Sequence, residues 1–178
     1  MKKEIEVFDY ANEILKGIKK GALITAATDL KVNPMTISWG TLGIEWNKPI
    51  FTAFVRENRF TKSLLDVNGE FTVNIPYGEY EKRILGVCGT KSGSNIDKVK
   101  ALGLTLVDSD EISVPAIKEL PLTLECKVIY VQKQDENAIA QEDLNVFYPQ
   151  DVNSDFHGAN QDFHTAYYGQ ILKAYIIE

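Results

Sequence analysis

The residues of this chain best suited to chemistry lie between positions 33 and 61. Asn33, Thr36, Ser38 and Thr41 set amide and hydroxyl groups along one stretch, and Arg56, Arg59 and Thr61 follow in an R-x-x-R-x-T arrangement. Two guanidiniums and a hydroxyl brought together grip phosphate, because arginine's planar fork pairs with two phosphate oxygens at once. The same spacing also suits two solvated surface charges paired with Glu57 or Asp66. Other chemistries find less support. No GxGxxG is present, and the GTKSGSN stretch lacks the spacing of a phosphate-binding P-loop. His157 and His164 stand seven apart with no Cys or His at ligand spacing, so no metal site is expected. Cys88 and Cys126 are distant and form no CxxC, which fits reduced thiols in a cytoplasmic protein. Cys126 reads as core, and Cys88 as either a small apolar residue or a group beside a redox centre.

Composition narrows the function further. The chain has 178 residues, which suits one domain over positions 1–178. Apolar residues make up 44%, charged residues 25%, and eight Phe, eight Tyr and two Trp supply the means for a substantial core. Nineteen basic against 25 acidic residues leave a net charge of −6, so nothing favours a nucleic acid or an anionic membrane as partner. The apolar runs are far short of a membrane span, and MKKEIEVFDY has no apolar signal region.

The elements that must position these residues are readable from periodicity. Phe8, Ala11, Ile14, Leu15 and Ile18 form one face of a short helix. GALITAATD, NPMTISWGTLGI and KPIFTAFVR read as three successive strands, broken by Asp, Asn and Pro. Residues 59 to 68 read as a helix ended by Gly69, followed by a strand from Glu70 to Ile75 that Pro76 stops. A helix over about 79 to 87 ends near Gly89, and a polar Gly/Ser loop then feeds another short helix. From 122 to 132, Leu122, Leu124, Cys126, Val128 and Tyr130 share one face of a long strand. Residues 135 to 163 are acidic and less regular, and YYGQILKAYIIE closes the chain as a strand. Strands adjacent in sequence, without βαβ alternation, predict a mostly antiparallel barrel with helices at its margin. Trp39 and Trp46 read as core or interface residues.

NPMTISWG, the KPIFTAFVR strand end, R-x-x-R-x-T and FTVNIP, in that order, resemble the flavin reductase-like, FMN-binding split-barrel family that includes the flavoredoxins. CGTKSGSNIDKVKALGLT is similar to that family's C-G-x-x-S-G-R-x-x-D-K loop, and FHTAYYGQI to its closing H-x-x-Y-x-G-E-I strand. The resemblance implies a mainly β fold with peripheral helices, a split β-barrel of Greek-key type. It implies an FMN ring held by Met35, Thr36, Ile37, Ser38 and Trp39, near Asn74 and a Cys88-Gly89 turn, with His164 lining the pocket. It places the phosphate against Arg56, Arg59 and Thr61, with Ser92, Gly93 and Lys98 nearby. The activity implied is transfer of hydride or electrons from NAD(P)H through flavin to an acceptor, by a homodimer with the flavin near its interface. The strand face carrying Leu122, Leu124 and Val128 is expected to exceed what one barrel covers and to pack on a second copy. The alternative is an FMN electron carrier without NAD(P)H oxidation of its own, reduced by a redox protein partner. Ser94 stands where the family pattern has arginine, Asn95 where it has aspartate, and Gln170 where it has an acid. The first of these departures favours the carrier.

Overall fold

The computed structural model describes residues 1–153 and 161–178. In chain order the elements are β1 (Lys2–Glu4), a 3₁₀ turn (Val7–Tyr10), α1 (Ala11–Lys20), β2 (Ala22–Thr28), β3 (Lys31–Ile37), β4 (Gly40–Glu45), β5 (Lys48–Arg56), α2 (Phe60–Asn68) and β6 (Glu70–Ile75). There follow α3 (Lys82–Thr90), α4 (Lys98–Leu102), β7 (Leu106–Val107), β8 (Ala116–Ile117), β9 (Leu122–Lys133), a second 3₁₀ turn (Glu136–Ala138), α5 (Gln141–Phe147) and β10 (His164–Ile177).

Period-two alternation decides the architecture. Strands β3-β2-β6-β9-β10-β5-β4 lie side by side in that order, β1 pairs with β10, and every pairing is antiparallel. Alternate residues of these strands point to one interior, where Ile24, Met35, Phe51, Val73, Leu124 and Tyr167 meet in a single cluster. Ile14 and Ile18 of α1 and Leu64 and Leu65 of α2 join the same cluster. Each such side chain contributes roughly 1.5–3 kcal/mol when fully buried. This is the mainly β fold with helices at its margin that the strand pattern predicts. A second, smaller core on the other face of β2 joins Leu23 to Ile84 and Cys88 of α3 and to Leu104, Ile117 and Leu120.

Helix α2 ends as its sequence indicates. Gly69 takes φ 67°, and its N–H bonds to Leu65 O, closing the last turn in a conformation that glycine adopts without strain. Among the described residues, no helix is long and apolar enough to cross a membrane.

Three expectations are corrected. Residues 33 to 44 form two strands, because the chain leaves β3 after Ile37, crosses Ser38 and Trp39, and re-enters the sheet at Gly40 opposite Ala53 of β5. Cys88 and Gly89 lie inside α3, where packing on β3 carries the helix through both glycines, Gly86 and Gly89. The face of Leu122, Leu124 and Cys126 is covered by the chain's own core, with Val128 packed against it, so it does not call for a second copy. Tyr130 leaves that face because the β9–β10 register slips between Tyr168 and Gly169, which pair with Tyr130 and Val128. Ile44, Trp46, Tyr130 and Val131 are among the large apolar residues that remain exposed.

Candidate functional site

Strand β3 and helix α3 form the two walls of a cleft. Thr36 Oγ1 donates to Leu85 O at 2.7 Å, tying strand to helix. Beside this tie lies a cavity of about 470 Å³ lined by Met35, Thr36, Ile37, Ser38 and Trp39, with Phe54, Leu85 and Phe147 across from them. His164, at the start of β10, lines the same cavity, and its ring centroid lies 4.8 Å from that of Trp39. Trp39 also meets Phe147 edge-on at 5.5 Å, so it belongs to the cleft wall, whereas Trp46 is exposed and meets Tyr130. A hollow of this volume with flat apolar walls and hydroxyls on one edge suits a planar heterocycle.

A second cavity, of about 220 Å³, continues from the first and shares Met35, Thr36, Arg59 and Gly89 with it. Thr61, Ser92, Gly93 and Lys98 line it, with Asn33 and Lys91. Asn33 Nδ2 donates to Thr61 Oγ1 at 2.8 Å, which fixes both buried side chains. Lys98 is buried and its Nζ donates to Pro34 O and Cys88 O, each at 3.0 Å, so the ammonium pins the end of α3 to β3. Lys31 Nζ sits nearby, donating to Gly93 O and lying over the Phe60 ring.

Electrostatics distinguish the cations. Asp162 Oδ1 accepts from Arg56 Nη2 at 2.5 Å and from Nε at 3.0 Å, while its Oδ2 accepts from Asn58 N at 2.9 Å. Burial raises the Asp162 carboxyl, but the Asn58 N–H and the Arg56 guanidinium outweigh it and hold the group below the usual carboxylate range. Arg59 has no acid partner among the described residues, and burial together with repulsion from Arg56 lowers its basicity. Burial brings Lys98 down to about 8, and Arg59 and Lys31 push it the same way. Arg59 and Lys98, which line the small cavity together with Asp162, therefore carry charges that an entering anion would favour. A phosphate fits this donor set in charge and in number of N–H groups.

Most of the residues expected from the sequence converge here. Ile37, Ser38, Trp39, Arg56 and His164 line the large cavity, Thr61, Cys88, Ser92, Gly93 and Lys98 the small one, and Met35, Thr36, Arg59 and Gly89 both. Asn74 is not brought to the cleft. Its side-chain amide is consumed in the second core, donating to Ile117 O, Leu120 O and Thr123 Oγ1 and accepting from Ile117 N. The Cys88 side chain packs in that core too, and burial pushes its thiol up to about 11, so it is protonated at neutral pH. Burial, with repulsion from Arg56 and Arg59, lowers His164 to about 4, so its imidazole is neutral. His157 lies outside the described residues. Among the described residues, no group of three or more His, Cys, Asp or Glu is placed to hold a metal.

Sequence reasoning missed Leu85, Lys91, Phe147 and Asp162. Lys91 had a signal, a cation beside the Ser92-Gly93 pair, and Leu85 lies one helical turn before Gly89. Phe147 and Asp162 sit in the irregular stretch after β9 and carried none.

The family model for the flavin reductase like domain matches residues 18–178. An uncharacterized protein of Archaeoglobus fulgidus is 35% identical over 117 residues, 65% of this chain, and the chain spans 65% of that relative's length. Flavoredoxin of Desulfovibrio vulgaris (Miyazaki F) superposes with a TM-score of 0.65 at 23% identity, over 89% of this chain and 69% of that one. The FMN-binding domain of a flavin reductases-like enzyme from Shewanella baltica OS155 gives a TM-score of 0.69 at 15% identity, over 99% and 78%. At these identities the structural likeness speaks for the fold.

Proposed function

Because the chain belongs to the flavin reductase-like family, we propose that it holds FMN across the two joined cavities and passes hydride or electrons from NAD(P)H to an acceptor. The observation that carries this reading is the continuity of a ring-sized apolar cleft with a cation-walled pocket through Met35, Thr36, Arg59 and Gly89. The bound flavin supplies the chemistry that accepts and releases hydride or electrons. The chain's own residues bind and orient. Met35, Ile37, Leu85 and Trp39 cover flat surface, and Ser38 and Thr36 offer hydroxyls at the cleft edge. Arg59, Thr61, Lys98 and Lys91 take the phosphate, and the Asn33 bond to Thr61 leaves the threonine hydroxyl hydrogen to be donated to it. Arg56 holds the β5 terminus through Asp162 and adds positive potential at the cavity wall.

A further hollow on the other side of Trp39 and Phe54, lined by Leu15, Ile18 and Lys19 of α1, gives a second planar group a route to the cleft. The exposed Ile44, Trp46, Tyr130 and Val131 suit a homodimer contact. A carrier reduced by a partner protein is the second reading. Ser94 favours it, since this exposed residue offers hydroxyl contacts to Ser92 and Asn95 where the family pattern has a cation. Adding FMN to the apoprotein and recording the visible spectrum and flavin fluorescence tests the first step. Loss of NAD(P)H absorbance with the loaded protein separates enzyme from carrier, and an unchanged flavin spectrum on titration would overturn both.

A further inference from the structure

One imidazole nitrogen in the cleft has no partner among the described residues, and the hydrogen bonds behind it fix which nitrogen carries the proton. His164 N donates to Gln134 Oε1 at 3.0 Å. A backbone N–H can only donate, so the Gln134 amide must turn its oxygen, not its NH₂, to this spot. Tyr148 OH meets the same oxygen at 2.9 Å and His164 Nδ1 at 2.9 Å. A phenol has one hydrogen. Directed at Gln134 Oε1, it leaves the Tyr148 oxygen as an acceptor, and His164 Nδ1 must then be the donor. The opposite arrangement, with the phenol hydrogen on Nδ1, sets two bare oxygens 2.9 Å apart in a buried site. Tyr148 is itself held, buried and stacked on Phe163 at 4.8 Å, while Gln134 N donates to His164 O at 3.0 Å.

We infer that Tyr148 and Gln134 are positioning residues that lock His164 as the Nδ1–H tautomer, so that Nε2 presents a fixed hydrogen-bond acceptor to the cleft. His164 lines the large cavity, and its ring's hydrogen bond among the described residues is made at Nδ1, to Tyr148 OH. The neighbouring cations oppose protonation there: Arg56 and Arg59 face the ring, and Asp162, which would favour a charged imidazole, is engaged by Arg56. A ligand of this cleft is thus required to offer an N–H or O–H at that point. On the flavin reading, which this inference deepens, the donor is either a ring N–H of FMN or the carboxamide N–H of a nicotinamide.

The test is long-range ¹H–¹⁵N correlation of the histidine rings in the apoprotein near neutral pH. A His157→Gln background leaves a single imidazole to read. The expected result is a protonated Nδ1 and a bare Nε2. In Tyr148→Phe the lock is gone, and the ring is expected to populate Nε2–H. A bare Nδ1 in the parent protein, or an unchanged tautomer in Tyr148→Phe, overturns the inference. Because neither measurement uses a ligand, failure of the flavin reading is seen separately, as absence of FMN binding. FMN that shifts the Nε2 resonance identifies the flavin as donor, and a shift only on adding NAD(P)H to the FMN-loaded protein identifies the nicotinamide. No shift with either overturns the acceptor role. Loss of the fixed acceptor in Tyr148→Phe is expected to weaken the ligand that shifts Nε2 by about tenfold, the loss of one net hydrogen bond.

Discussion

Arg56 and Arg59 sit three residues apart and face the same cleft, yet among the described residues only Arg56 is held by an acid, with Asp162 Oδ1 at 2.5 Å from its Nη2. The R-x-x-R spacing therefore serves two purposes. Arg56 closes the end of β5 against the start of β10 inside the protein, and Arg59 keeps its guanidinium for whatever enters the small cavity.

Arg59→Ala is expected to weaken FMN binding by about ten- to a hundredfold, as a phosphate loses a charge-assisted contact of roughly 1.5–3 kcal/mol, and to leave riboflavin nearly unchanged. Arg56→Ala leaves Asp162 partly buried without its cation and is expected to cost about 3–5 kcal/mol of stability, with both ligands weakened. Titration with FMN and riboflavin, together with denaturant unfolding, separates the two. An equal loss of both ligands in Arg59→Ala would assign it to the fold.

Lys98 is expected to make FMN affinity depend on pH. Burial lowers its ammonium to about 8, below the usual lysine value, so the folded apoprotein releases a proton from it as pH rises through that point. Its contribution to apoprotein stability then improves from about pH 8 toward the usual lysine value, because the unfolded chain binds more protons over that window. Phosphate affinity moves the other way. FMN binding is expected to fall by up to about tenfold per pH unit above 8, while riboflavin stays level. Parallel pH titrations of the two ligands check this, and identical profiles would remove Lys98 from the phosphate pocket.

The sequence made the β3 wall and the cation-walled pocket legible, and the wall opposite β3 much less so. Arg59 and Thr61 were legible from residue type and spacing, Ser92, Gly93 and Lys98 only through the family resemblance, and the structure gathers all five around the small cavity. Asn74 misled because an asparagine on a strand has two faces to choose from, and the carbonyls of Ile117 and Leu120 claimed its amide. Cys88-Gly89 read as a turn because glycine lowers helix propensity, whereas contact with β3 prolongs α3 through it. The break at Ser38 and Trp39 was hidden by uniform β propensity on both sides. Phe147 and Asp162 reach the site from a stretch without periodicity, so only tertiary packing reveals them.

Gly93 tests how closely the small cavity is shaped. A Cβ there would lie 1.9 Å from Asn33 Oδ1 and 2.8 Å from Phe60 Cδ1, and Asn33 cannot retreat without releasing Thr61. Gly93→Ala is expected to cost about 1–3 kcal/mol of stability, as overpacking does, and to weaken FMN at least tenfold more than riboflavin. Thermal unfolding and paired titrations measure both effects. Unchanged FMN affinity would show that the Asn33-Thr61 bond does not shape the phosphate site.

Ser94 bears on the electron donor. It is exposed at the rim of a groove lined by Arg59, Phe60, Lys62 and Ser63 and by the acids Glu57 and Asp66, beyond the small cavity, and its Oγ lies 2.7 Å from Ser92 Oγ. If a pyridine nucleotide lays its phosphates along this groove, Ser94→Arg supplies the cation that the family pattern carries. KM for NAD(P)H is then expected to fall by up to about tenfold, since one partly exposed charge-assisted contact is worth on the order of 1 kcal/mol. The gain must shrink as salt rises, because an exposed phosphate contact is screened within about 10 Å at 0.1 M ionic strength. FMN affinity should hold, because Arg59 and Lys98 already face the inner pocket. Steady-state kinetics with NADH and NADPH at two ionic strengths decide the matter. An unchanged KM shows that the groove does not bind the nucleotide. If parent and variant both ignore NAD(P)H yet take electrons from a reductase, the protein is the carrier, and Ser94 marks where its nucleotide site would have been.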